Sequence, residues 1–205
     1  MAILEHTLGI LLHPDREWKA IRNERHSFAQ VFFSHVPFLA LIPPVAAYFG
    51  VTQVGWTIGD GEVVRLTSES ALSLCVMTYI ALMVGVYVLG EFINWMAKTY
   101  GVTDSAEQRH YEGTALAVYI TTPVFLAGIV GIYPELWLNA AATILAGCYA
   151  IYLVYEGIPI LMNIDKERAF MYATSVVTVG LVMLVIVRVG TVIVWGMGIG
   201  PVYVD

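Results

Sequence analysis

The chain has 205 residues, 59% of them hydrophobic and only 13% charged, with a formal net charge of −6. Its mean hydropathy is +0.75, and its charge content is about half that of ordinary soluble domains. A soluble fold is excluded, because so apolar a chain would leave on the order of hundreds of Å² of hydrophobic surface uncovered. What remains is an all-α polytopic membrane protein: a bundle of five transmembrane helices (29–205) behind a cytoplasmic N-terminal segment (1–28) with a short amphipathic helix.

Residues 7–12 are apolar but too few for a signal sequence. No basic stretch precedes them and Pro14 follows, so the first span is expected to act as the insertion signal. Pro14, Asp15 and Glu17 mark a helix start, with proline in the first turn and acids just inside it. Along 13–22, Trp18 and Ile21 share a face, while Arg16, Lys19 and Arg22 can point toward phosphates. The pattern predicts an amphipathic helix lying on the membrane surface.

Apolar runs at 29–52, 70–97, 112–133, 137–162 and 170–196 each meet or exceed the ~20 residues that a helix needs to cross ~30 Å of hydrocarbon. The first carries Pro37, Pro43 and Pro44, which free the carbonyls of Phe33, Leu39 and Ala40. Pro123 similarly frees Tyr119 in the third span, and Pro159 frees Tyr155 in the fourth. Kinks of this kind need cover from neighbouring helices or water. The loops are expected at 53–68 and 99–111, with a tight turn around Tyr133, Pro134 and Glu135. Small residues at Ala142 with Ala146, Thr143 with Gly147, and Gly196 with Gly200 are candidates for close helix packing. Cys75 and Cys148 read as small packing residues.

The cations are distributed unevenly. Arg16, Lys19, Arg22 and Arg25 precede the first span, Lys98 and Arg109 lie between the second and third, and Lys166 and Arg168 lie between the fourth and fifth. Arg65 alone occupies the first loop. The positive-inside rule therefore predicts a cytoplasmic N-terminus and a C-terminus (196–205) on the far side.

Ionisable groups within spans cost roughly 2.5–3.5 kcal/mol each and normally face the bundle interior. Glu91, Glu112 and Glu156 all fall in the cytoplasmic half, the first and last ~10 Å from that end at 1.5 Å per residue. Asn94 lies one turn from Glu91. Together these four form a candidate site for a cation, a proton or a polar head group. The competing reading makes the carboxylates structural, hydrogen-bonded to Tyr87, Tyr111, Tyr152 or Asn94. Arg188 lies ~28 Å along the fifth span, an outer-interface charge expected to snorkel toward Glu69 or Glu135.

Catalytic patterns do not emerge. His6, His13, His26, His35 and His110 lack metalloprotease spacing, and there is no nucleophile elbow or phosphate-cradling glycine loop. No enzyme activity, cofactor, metal or nucleic-acid partner is expected. The expected partners are the bilayer, other membrane proteins or a second copy of the chain.

From Ala115 onward the order of the residues is specific. Ala115, Tyr119 and Pro123 open the third span, and Ile132, Tyr133 and Pro134 close it. Tyr149, Tyr152, Gly157, Pro159 and Met162 follow, then Asp165 through Tyr172; upstream stand Pro14, Trp18 and Ile21. This arrangement resembles the bacterial branch of the Yip family, the Rab-interacting membrane proteins. The resemblance implies a five-span protein of the bacterial inner membrane, with a cytosolic N-terminus, a C-terminus on the opposite side and no settled biochemical activity; a role in membrane organisation or binding is the expected one. It supplies no catalytic residue. With only residues 1–28 ahead of the first span, no GTPase-binding role is carried over. The alternative to a binding role is a small transporter or channel for a cation or other small solute, cued by carboxylates beside proline-broken helices.

Overall fold

A computed structural model describes residues 2–24, 27–57, 61–198 and 200–204. Two short helices come first, α1 (Ala2–Leu12) and α2 (Pro14–Asn23), followed by α3 (Phe28–Leu39) and α4 (Ile42–Phe49). The long helices are α5 (Ser68–Ala97), α6 (Ala106–Ala127), α7 (Leu136–Leu161) and α8 (Lys166–Gly196). A π-helical turn (Gly50–Val54) extends α4, and a 3-10 turn (Gly128–Ile132) extends α6. With these extensions five segments are long and apolar enough to cross a membrane: Phe28–Val54, Ser68–Ala97, Ala106–Ile132, Leu136–Leu161 and Lys166–Gly196.

Each matches an expected span to within a few residues except the third, which begins about two turns early. The reason is a cap. Ser105 accepts from the Gln108 amide, so the helix starts in polar sequence before the apolar run begins. Thr67 and Asp165 cap α5 and α8 in the same way, and Ser27 with Gln30 forms a reciprocal capping box on α3.

α6 is the axis of the bundle. Every residue from Tyr111 to Ile120 is buried, so the helix is surrounded on all sides by α1, α3, α5 and α7. Close approach to α5 depends on two glycines. A Cβ on Gly113 would stand 3.0 Å from the Asn94 amide nitrogen and 3.1 Å from the Gly90 carbonyl oxygen. The small residues expected to mediate packing do not all do so: Ala146 is buried, but Thr143 is exposed and Gly147 meets nothing within 4 Å of a would-be Cβ. Gly196 is likewise open, while Gly200 packs against Trp195. Cys148 is also exposed rather than packed, and Cys75 is half-buried.

The amphipathic helix forms as predicted but buries its apolar face in protein rather than in lipid. Trp18 and Ile21 are both 0% exposed. The Trp18 indole meets Tyr119 edge-on at 6.1 Å, and it lies so close to Gly157 that a Cβ there would stand 2.8 Å from it. α1, which the sequence reading did not anticipate, completes the docking: Ile10 is fully buried in the same core.

The carbonyls near several helix ends are capped from other helices. The last carbonyls of any helix lack an internal partner. Here the Tyr149 hydroxyl donates to Ile10 and Leu11, that of Tyr111 to Ile21 at 2.6 Å, and that of Tyr79 to Pro37. Arg22 donates to Ile160 near the end of α7, and Tyr172 to Ile93 near the end of α5. By contrast, among the described residues no side chain bonds the carbonyls of Tyr119 or Tyr155, the proline-freed positions of the third and fourth spans. Thr121 and Thr122 bond the neighbouring carbonyls of Ala117 and Val118 instead.

At the other end of the bundle, β1 (Trp56–Thr57) pairs antiparallel with β2 (Val63–Val64), and Leu66 bridges to Tyr203. The C-terminal segment is thereby tied to the loop that carries Arg65, away from the end where α2 docks. Arg188 falls within α8, about 33 Å from the helix start at 1.5 Å per residue; its side chain lies outside the described residues.

Candidate functional site

Glu91, Glu112 and Glu156 do not converge. Glu91, on α5, receives His110 Nε2 at 2.6 Å, and the His110 ring stacks on Phe28 with centroids 4.6 Å apart. Glu112, on α6, accepts from Gln108 Nε2 at 2.9 Å. At about 100° per residue, positions 110 and 112 lie about 200° apart around α6. Glu91 and Glu112 are therefore held on opposite sides of the central helix. Glu156, on α7, is half-buried and makes no hydrogen bond or ion pair among the described residues. Asn94 packs its backbone on Gly113 rather than joining Glu91. The expected tyrosine partners are absent too: Tyr111 donates to Ile21, and Tyr87 packs edge-on against Phe28.

Glu112 is the member of the expected site with unmet chemistry. Its side chain is fully buried, and Oε2 has no hydrogen-bond partner. It lines a cleft of about 220 Å³ together with Gln108, Asp104, Arg22 and Asn23. Arg22 and Asn23 end α2, Asp104 lies in the loop before α6, and Gln108 sits one turn before Glu112. The docking of α2 thus builds this cleft. Arg109, next along, turns away to donate to the Asp104 carbonyl, and its Nε is buried without a partner.

A second polar cluster joins α1, α2 and α3. His6 Nδ1 lies 2.5 Å from Glu17 Oε1, and its Nε2 lies 3.2 Å from Glu24 Oε1. His35, 3% exposed, faces the Tyr119 ring at 5.0 Å and the His6 ring at 6.3 Å, with Nδ1 on the Ser34 hydroxyl at 3.0 Å. The described residues hold no group of His, Cys, Asp or Glu arranged for a metal ion. Sequence reasoning missed both this cluster and the partners of Glu91 and Glu112. The Gln108–Glu112 pair had a readable signal, since residues four apart on a helix are neighbours. The His6 and His110 contacts had none.

The Yip1 domain profile matches residues 8–187. The chain belongs to the Yip1 domain family. Relatives of this Yip1 domain protein include the inner membrane protein YohC of Escherichia coli strain K12, 37% identical over 195 residues, which cover 95% of this chain and 98% of YohC. YohC of Escherichia coli O6:H1 matches to the same extent. No solved structure gives a significant match. The matched Yip1 region begins at Leu8, midway along α1, and extends through most of α8. The α2 helix, whose docking builds the cleft, therefore falls within the family domain.

Proposed function

We infer that this Yip1 domain protein is a non-enzymatic, membrane-embedded binding component of the inner membrane, with its N-terminus in the cytoplasm, and not a solute conduit. One observation carries the reading: α6 is buried around its whole circumference over ten residues, with Glu91 and Glu112 on opposite sides of it. A conduit needs polar groups that face one another along a common path. Here the central helix is a packed axis, and each carboxylate except Glu156 is tied to a neutral or titratable partner. The orientation rests on eight of the ten cations lying before the first span or at the helix ends that flank the second and fourth loops.

Purified protein in proteoliposomes is expected to give no proton or monovalent-cation flux above that of protein-free vesicles, while site-specific photocrosslinking in native membranes yields defined adducts. A flux that falls in Glu112→Gln would replace this reading with the transporter alternative. That alternative draws on a single observation, the unpartnered Glu112 Oε2 beside proline-interrupted helices.

A further inference from the structure

The cleft at the end of α2 combines features that together specify a ligand. Two carboxyl groups, Asp104 and Glu112, and one guanidinium, Arg22, line it with two carboxamides, Asn23 and Gln108. Glu112 is 0% exposed and its Oε2 has no partner, although an unpaired buried oxygen costs about 1–3 kcal/mol. A group that donates a hydrogen bond into the cleft would relieve that cost. Arg22 spends one nitrogen, Nη1, on the Ile160 carbonyl at 2.8 Å, and a guanidinium carries five N–H donors, so others remain for an anion. A bare cation would be repelled by Arg22, and a simple anion by two carboxyl groups. A ligand with an ammonium at one end and a phosphate at the other meets both.

Size and depth agree with this. At about 220 Å³ the cleft is smaller than the ~300 Å³ lower end for drug-sized ligands, and so suits a head group. Asp104 stands two residues before the span that begins at Ala106, and Glu112 stands six residues into it, ~9 Å at 1.5 Å per residue. The cleft therefore runs from the edge of the membrane-spanning region inward, through the depth occupied by lipid head groups.

We propose that Asp104, Glu112 and Arg22 form a binding site for a primary ammonium joined to a phosphate, the chemistry of an ethanolamine phosphodiester. This deepens the binding reading above and rests on it; the flux assay tests that reading independently. The ammonium donates to Glu112 Oε2 and Asp104, and the phosphate accepts from Arg22. A quaternary ammonium has no N–H to give and is rejected for that reason.

The test uses the full chain in detergent, with native mass spectrometry to count retained phosphatidylethanolamine, phosphatidylcholine and phosphatidylglycerol of identical acyl chains. Charge-assisted hydrogen bonds of this kind predict at least a ~10-fold preference for phosphatidylethanolamine over phosphatidylcholine. Glu112→Gln and Asp104→Asn should each reduce that preference several-fold. Asp104→Asn keeps the backbone carbonyl that holds Arg109 and so serves if Glu112→Gln fails to fold. Soluble phosphoethanolamine is the second arm: displacement of lipid at comparable concentration assigns the site to a free zwitterion, and no displacement assigns it to the lipid. Equal retention of phosphatidylethanolamine and phosphatidylcholine, or a preference unchanged in both variants, overturns the proposal.

Discussion

Replacing Trp18 with alanine removes a fully buried indole whose Nε1 has no hydrogen-bond partner, so the loss is one of packing alone. Large-to-small changes of an aromatic residue in a packed core cost about 3–5 kcal/mol. At roughly 2–4 °C per kcal/mol for a chain of this length, the melting temperature should fall by about 6–20 °C. The opposite wall provides an internal check. A methyl group on Gly157 would stand 2.8 Å from the Trp18 ring and 2.9 Å from Leu116, so Gly157→Ala alone should cost about 1–3 kcal/mol through overpacking. Beside alanine at position 18 much of that clash disappears. The double variant should therefore be more stable than the sum of the singles predicts, by about 1 kcal/mol or more. Thermal unfolding of the four purified proteins in one detergent measures the cycle. A shift below about 2 °C for Trp18→Ala, with additive behaviour in the double variant, would mean that α2 rests on lipid and that its docking against α6 and α7 is wrong.

Glu91→Gln should change stability by no more than about 1 kcal/mol, because the His110 pair is more than a third exposed; a larger loss in the same unfolding assay would show that the pair holds α5 to α6. Gly113→Leu should disrupt the crossing of α5 and α6 and lower the yield of folded protein, whereas Gly147→Leu, which points into open space, should not; size-exclusion profiles compare the two directly. With Cys75 and Cys148 replaced by serine, Thr103→Cys should react with an impermeant maleimide only when the cytoplasmic face is accessible, and Glu135→Cys only from the opposite face. Labelling in the reverse sense would invert the orientation.

The five spans were legible because bilayer thickness imposes a length that irregular contacts cannot disguise. Position along a helix was legible only where the helix start was: Glu91 falls within α5 as counting puts it, but Glu112, expected at the start of the third span, stands six residues inside α6 because the Ser105 cap begins that helix early. Azimuth was harder. Grouping Glu91, Asn94, Glu112 and Glu156 by depth ignored the faces they occupy, and only the α5–α6 crossing at Gly90 and Gly113 determines which face meets which. The N-terminal helix shows a different limit. Trp18 and Ile21 were correctly placed on one apolar face, but lipid and protein interior are both apolar, and hydrophobicity alone does not choose between them. Packing at Gly157 makes that choice, 139 residues downstream of Trp18 in sequence. α1 escaped notice because 11 residues are too few to span a bilayer, and a search for spans discards short helices.

The carbonyls capped from other helices carry a consequence for biosynthesis. Ile10 and Leu11 wait for Tyr149, Ile21 waits for Tyr111, and Pro37 waits for Tyr79, at separations of 139, 138, 90 and 42 residues. Each of these helix ends is thus completed only by a later span, α3 by α5, α2 by α6 and α1 by α7, just as the Ile93 carbonyl of α5 is met only by Tyr172 of α8. Until α7 emerges, α1 lacks the hydroxyl that closes it, and a nascent chain halted after α6 would hold its N-terminal helices loosely. The N-terminal helices therefore reach their final packing only once the fourth span is in place.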